Sequence, residues 1–540
     1  MSDTSSPSST PALGASPGED GRLRQGLGTT SLALITVSSV VGSGWLLAPY
    51  NAAVLAGPAA FLSWGITGFA TLLVALVFIE LAFRRPMSGG NVRWPQEASG
   101  SLVGMLIAWA VFLQAVNAGP SESTAVVEYA SRWLPGVVDD EGLTIPGKLL
   151  AVGLLFFFCT LNLFGIKLLA RVNNVVATIK VIVPVITVVI LLLSGFDTEN
   201  ISTGGGVAPY GVAGALTAIT GAGLIYSFTG INAAAVMSGE ARDAGRTVPR
   251  ATLLVLVFAV ALYLGLQAVI IFSIPGQAII GGWHGVNLES PLAQIATMLG
   301  LSWLSMVILA DAVFSPSGSL LVGIGVKGRY TYGAAQNGLL PRALTKVDSR
   351  FGIPRRAILL NVGVGSVVVL AYGGWAEITS SLSFYYGLSY AAVSVAVTII
   401  AARTTQERGL LGRWAVPIGM LSFVLSGLIL YWASWEKVRI SVPLLLIGVV
   451  IYAVRTHKHQ QWRTGAFFGI WLIVFMIVLT VFSALGSFGG TGLIAAPWDS
   501  VIMGILSLLF WYWGHRSGLG YQNQRQPEVE ADAAGSQSSH

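Results

Sequence analysis

From residue 30 to residue 514 the chain is a succession of apolar runs, most of them about 20 residues long, the length at which a helix crosses the hydrocarbon core of a bilayer. No soluble fold accommodates such a series. In water the apolar surface would need a charged exterior, yet only 10% of the 540 residues are charged while 54% are hydrophobic; a soluble domain carries about 25% charged residues. In lipid the same runs are satisfied as helices, because a helix closes its own backbone hydrogen bonds. The runs fall near 30–56, 58–82, 101–129, 147–166, 174–195, 211–238, 251–274, 299–326, 357–375, 382–402, 414–434, 440–455, 466–486 and 496–514. They predict an all-α membrane protein with about 14 transmembrane helices.

The flanks differ in kind. Residues 1–29 and 517–540 are rich in Ser, Pro, Gly and polar residues, and both read as disordered cytoplasmic tails. No short positive-then-apolar leader with a cleavage site precedes the first run, so a cleaved signal peptide is not expected. The single cysteine, Cys159, lies inside an apolar run, which excludes a disulfide scaffold. The net charge of +6 is spread over many loops, so nucleic acid is not an expected partner and membrane lipid is. With both termini cytoplasmic, 25 of the 30 Lys and Arg residues fall on inside loops, and Arg132, Lys148, Lys437 and Arg439 fall outside. That skew obeys the positive-inside rule and predicts an even number of crossings of the cell membrane. The longest connection, Lys327 to Arg356, reads as short cytoplasmic helices, and no G-x-x-x-x-G-K-[ST] loop supplies an engine for ATP-driven pumping.

Two spans carry unusual interruptions. Span 1 reads SSVVGSGWLLAPY, with Gly42, Ser43 and Gly44 roughly 18 Å into a core about 30 Å thick. Span 6 reads GAGLIYSFTGINAAAV, with Thr229, Gly230 and Asn232 in mid-run. Non-helical backbone at that depth is tolerated only where protein or a water-filled cavity surrounds it, and matched breaks in two halves mark a transporter binding site. Spans 1–5 and 6–10 each open with such a break. Five being odd, the second set crosses in the opposite sense. This predicts a five-plus-five inverted-repeat core with discontinuous helices 1 and 6 over residues 30–403, divided into 30–196 and 211–403, with four peripheral helices at 414–514. The outer half of helix 1 begins near Gly44 with free N–H groups that suit a carboxylate; the carbonyls of Tyr226, Ser227 and Phe228 suit an ammonium. Together they match the backbone of an amino acid substrate. Close packing at small residues is the competing reading of the glycines.

Several motifs resemble those of the amino acid–polyamine–organocation (APC) superfamily of permeases. They are Gly42-Ser43-Gly44 followed by Trp45; Glu80-Leu81 followed by Pro86, Gly89, Gly90 and Arg93; GEARDAGRTVPRA with Glu240, Arg246, Pro249 and Arg250; and NGLLPRALTKVDSRFGIPRRA with Pro341, Gly352 and Pro354. The stretches GSGWLLAPYNAAVLAGPAAFLSW and NAGPSESTAVVEYA are most similar to the bacterial branch that includes aspartate-proton symporters. The resemblance implies alternating access and amino acid transport coupled to an ion. It also implies that a lysine on helix 5, here Lys180, takes the place a sodium ion holds in related transporters. Where several relatives carry a glutamate, this chain has Asn232, which cannot titrate; its bland reading is a cap on the inner half of helix 6.

The charges inside spans are the remaining candidates. Lys180 lies about 13 Å along helix 5 from Arg171, and a charge there is a functional candidate by default. As a coupling switch it would exchange its proton; as a merely structural residue it would snorkel to the cytoplasmic face. Glu122, after Pro120, could contact substrate or relay protons, or sit solvated in an outer vestibule. Asp311 could orient Lys180 or make a local hydrogen bond. Ser315, Ser317 and Ser319 could ligate sodium or back-bond around Pro316. Glu80 reads as an interfacial ion pair with Arg84 and Arg85. Phe228 and Trp45, helped by Tyr385 and Tyr386, could close over substrate, or simply pack.

The leading reading is thus a secondary active importer of amino acids coupled to protons. A sodium-coupled or exchange-mode permease for amines or polyamines is the first alternative, and a channel or membrane sensor the second. A membrane enzyme is disfavoured, because His284, His457, His459, His515 and His540 all fall in predicted loops or tails; neither a metal nor a cofactor is expected.

Overall fold

The computed structural model describes residues 27–537 apart from 88, 141, 165, 166, 337–339, 349–352, 404–408 and 457–461; most of the expected N-terminal tail therefore lies outside the described residues. The chain is helical almost throughout. Its first half comprises α1 (Thr29–Val40), α2 (Gly44–Ala56), α3 (Ala60–Arg84), α4 (Gly90–Ser99), α5 (Ser101–Ala130), α6 (Ile145–Phe164) and α7 (Lys167–Ser194). A connection containing α8 (Asn200–Thr203) leads to α9 (Gly211–Gly221), α10 (Leu224–Ser227), α11 (Ala233–Val236), α12 (Ala244–Ser273), α13 (Pro291–Met298), α14 (Ser302–Gln336), α15 (Arg355–Ala371) and α16 (Trp375–Arg403). Then follow α17 (Ala415–Trp432), α18 (Trp435–Thr456), α19 (Trp462–Leu485) and α20 (Trp498–Gln537). A two-stranded ribbon pairs Val138–Asp139 with Gly142–Leu143.

Among the described residues, nine helices are long and apolar enough to cross a membrane, and Thr29–Val40, Thr178–Ser194 and Gly211–Gly221 are shorter apolar helices. The expected 14 is not reached because the broken and partly described spans are short, Gly44–Arg84 counts as one stretch of 41 residues, α15 has only 17 residues, and α20 is not apolar enough. The two halves repeat one order of elements: a broken span, a long helix, a short helix of ten or eight residues, then three long helices. Within this frame α5 packs against both α14 and α16, while α12 packs against α1 and α3.

Hydroxyls inside the apolar core are satisfied along their own helices: Thr36 donates to Leu32 O, Thr67 to Ser63 O and Thr71 to Thr67 O, each at 2.7 Å. Pro120, lacking an N–H, leaves the carbonyl of Val116 without its helical donor. Gly365 of α15 fits against that spot, where a Cβ would lie 3.0 Å from Val116 O.

Three sequence expectations change here. The polar stretch after Gly520, read as a tail, continues α20 to Gln537; its Gln, Arg, Glu and Ala residues favour helix even without an apolar face. Of the long connection from Lys327, α14 takes everything to Gln336, leaving among the described residues one 3₁₀ turn at Arg342–Thr345. Glu80 makes the ion pair expected with Arg84, but it does so fully buried within protein. Its Oε1 pairs with Arg84 Nε at 2.6 Å, and its Oε2 accepts the Leu411 N–H at 2.8 Å from the chain leading into α17. Removing one partner of a buried pair typically costs about 3–5 kcal/mol. Glu80→Ala is therefore expected to lower the melting temperature in detergent by several degrees, and an unchanged melt would refute that role.

Candidate functional site

The first broken span gives way at Val41–Ser43 because other helices come too close for side chains there. A Cβ on Gly42 would sit 2.7 Å from Glu122 Oε1, and one on Gly44 would sit 2.5 Å from Ser227 Oγ and 3.2 Å from its Cα. α2 therefore restarts at Gly44, and the N–H groups of a helix's first turn have no partner within the helix. The second broken span is interrupted twice. Besides the turn at 228–232, the chain breaks at Ala222–Gly223, where Gly223 has φ +75° and would clash with Trp375 and Thr379 if it bore a Cβ.

The carbonyls expected to await an ammonium already accept bonds. Tyr226 O takes the Thr229 N–H (2.9 Å) and hydroxyl (2.7 Å), and Phe228 O takes the Ile231 N–H (3.2 Å). The Tyr263 hydroxyl of α12 lies 2.9 Å from Ser227 O and 3.2 Å from Val40 O, so one side chain caps helix ends at both breaks. Ser227 O and Phe228 O each keep a second lone pair and can still receive a cation, whereas Thr229 takes both lone pairs of Tyr226 O.

The two breaks meet at a cluster of polar side chains. The Tyr226 hydroxyl donates to Glu122 Oε1 at 2.9 Å and lies 3.0 Å from Ser121 Oγ and 3.5 Å from Ser43 Oγ. Ser43 lies beside the same carboxylate. Trp375 Nε1 donates to Ser43 Oγ at 2.8 Å, and its ring meets Tyr226 edge-on with centroids 5.8 Å apart. Glu122 is 7% exposed; the solvated outer-vestibule reading is corrected, because the first break and Tyr226 enclose it.

Lys180 is 1% exposed and does not snorkel. Its ammonium donates to the Ser319 hydroxyl and lies 3.5 Å from Ser38 O, joining α7 to α14 and α1. The carboxylates whose charge bears on it are Glu122 and Asp311. Among the described residues neither oxygen of Asp311 has a hydrogen-bond partner, so the local hydrogen bond is not seen there, and the Ser315 hydroxyl is likewise buried without a partner.

The other candidates are less central. Phe228 packs on Trp64 and Tyr263, with centroids 5.9 and 5.2 Å away, and Trp45 is fully buried. Asn232 stands at the N-cap of α11 but makes no side-chain cap bond. Tyr385 is buried and Tyr386 packs on Tyr390. His515, expected beyond the last span, lies within α20 against Thr398.

Sequence reasoning missed Ser121, Tyr263, Trp375 and Glu128. Glu128 Oε1 accepts the Trp375 N–H at 2.7 Å, at the start of α16. A second acid in NAGPSESTAVVEYA was the available signal for Glu128; Trp375, the last residue of the run read at 357–375, carried no such signal. Both ends of the broken spans are tied. At one, Leu27 pairs with Glu240 and Arg242 through its backbone. At the other, Tyr50 donates to Val286 O and accepts from Leu288 N–H, and Tyr129 donates to Leu46 O.

A family model described as amino acid permease matches residues 27–506. The chain is 33% identical over 517 residues to the glutamate/serine transporter AimA of Bacillus subtilis, covering 93% of this chain and 95% of that one. It is 32% identical over 516 residues to the aspartate-proton symporter of the same organism, covering 93% and 98%. It is also 26% identical over 455 residues to the aromatic amino acid transport protein AroP of Escherichia coli O6:H1, covering 80% and 95%.

Proposed function

This chain belongs to the amino acid permease family, and on that premise we propose that it imports amino acids across the cell membrane by alternating access, coupled to protons. The observation that carries the reading is the meeting of two interrupted spans. α2 offers N–H donors at Ser43–Trp45, and the end of α10 offers the carbonyls of Ser227 and Phe228 next to the occupied Tyr226 O, so a zwitterion spans the gap between them. Gly42, Ser43, Gly44, Trp45, Tyr226, Ser227, Phe228, Thr229, Gly230 and Asn232 form this substrate site in the proposal. The repeated order of elements in the two halves supports a five-plus-five inverted core with both termini cytoplasmic, flanked by four peripheral helices.

Protons are favoured over sodium by Lys180. Its ammonium engages Ser319 and the Ser38 carbonyl, oxygens of the kind a sodium ion would need, so a cation of the protein's own stands among them. Asp311 and Glu122 complete the coupling group. The names of the relatives bring serine, glutamate and aspartate forward as substrates. Purified protein in liposomes is expected to accumulate at least one labelled amino acid when the exterior is made acidic, with saturation, counterflow and no need for sodium. Competition by each of the twenty amino acids identifies the substrate. Uptake that requires sodium would replace the proton reading, and non-saturating current would replace the carrier.

A further inference from the structure

The donor cradle at the start of α2 faces a carboxylate that belongs to the protein. Glu122 reaches it from α5, held by the Tyr226 hydroxyl, and Gly42, two residues before α2, is bare on the side where the carboxylate sits, 2.7 Å from where its Cβ would be. Its Oε2 is buried and has no hydrogen-bond partner among the described residues. A 13-residue helix with a free first turn favours an anion at this end, and Glu122 supplies one. We infer that Glu122 is a tethered competitor for the carboxylate of the substrate: it occupies the α2 donors until an incoming amino acid replaces it there.

The groups facing Glu122 indicate where a displaced carboxylate goes. Tyr226 from α10 and Tyr263 from α12 are hydroxyls, and Lys180 from α7 is the cation among the described residues whose charge bears on it, with Asp311 from α14 acting on the same lysine. Once out of the cradle, Glu122 turns to the Lys180 ammonium. That ammonium also holds Ser38 of α1 and Ser319 of α14, so filling the cradle is felt where the two halves are pinned together.

The inference rests on the amino acid reading above and predicts an effect of unusual sign. Removing a group that touches the site should tighten binding. A site that is open only a tenth of the time binds about tenfold more weakly than its intrinsic affinity. Glu122→Gln, which loses the anion, is accordingly expected to bind L-serine and L-aspartate roughly tenfold more tightly than wild type by equilibrium binding in detergent. Serinamide, which has no carboxylate to place in the cradle, should gain nothing. Tyr226→Phe, which frees the carboxylate from one of its anchors, should also tighten amino acid binding and serves if Glu122→Gln does not fold. Unchanged or weaker amino acid binding in the folded variant overturns the inference, as does an equal gain for serinamide. If wild-type protein binds none of the twenty amino acids, the functional reading fails and takes the inference with it; wild-type binding with no gain in the variant removes the inference alone.

Discussion

Lys180→Ala is expected to reduce proton-driven amino acid uptake to less than a tenth of wild type while counterflow persists. The ammonium bonds the Ser319 hydroxyl and lies 3.5 Å from Ser38 O, so it connects a helix of the first broken span with α14 of the second half. A charge buried to 1% exposure needs such partners. Loss of its proton would remove the attraction to the Ser38 carbonyl and to both nearby carboxylates, letting α1 part from α14. That makes protonation a natural switch between two packings of the same helices. Alanine lacks the switch but leaves the α2 donors and the α10 carbonyls in place, so substrate can still bind and exchange. A tenfold loss corresponds to about 1.4 kcal/mol of coupling. Undiminished pH-gradient-driven accumulation by folded Lys180→Ala protein would dismiss the role. Loss of both uptake and counterflow would instead make Lys180 a structural brace between buried acids.

How far the sequence carries depends on what enforces each feature. Lipid enforces helix boundaries strongly. The run read at 101–129 is α5 at Ser101–Ala130, and the run read at 251–274 is α12 at Ala244–Ser273, starting earlier because the GEARDAGRTVPRA exit already turns into helix. The break at Gly42–Gly44 was legible because small residues are conspicuous in an apolar run. The additional break at Gly223 was not, since GAGLIY reads as one more apolar stretch until Trp375 and Thr379 are seen pressing on it. The partners that complete the cluster were invisible for a related reason. Ser121, Tyr263 and Trp375 come from α5, α12 and α16, and only packing brings them beside Ser43, Ser227 and Tyr226. Hydrogen bonding also altered the chemistry: the carbonyls anticipated as bare are partly occupied by Thr229, Ile231 and Tyr263.

Gly230→Ala should abolish amino acid binding without unfolding the protein, because the two broken spans touch at that residue. Gly230 has φ +100°, a region that costs a residue with a side chain about 1–3 kcal/mol. A Cβ there would lie 2.7 Å from both the Cβ and the carbonyl oxygen of Ser39. Ser39 belongs to α1, next to the Ser38 carbonyl that Lys180 approaches, so the backbone cannot yield without disturbing the coupling site as well. The strain therefore falls on the turn at 228–232, which positions Tyr226 O and Phe228 O, while the long helices that hold the fold are untouched. Affinity for the transported amino acid is expected to fall by at least about tenfold. Gly153→Ala in α6 is the matched control. Among the described residues nothing lies within 4 Å of a Cβ there, and alanine favours helix over glycine by about 1 kcal/mol, so binding should hold and the melting temperature should not fall. Wild-type affinity in Gly230→Ala protein would mean that the second interruption is a packing accommodation, and the substrate site would have to be sought elsewhere along α5 and α16.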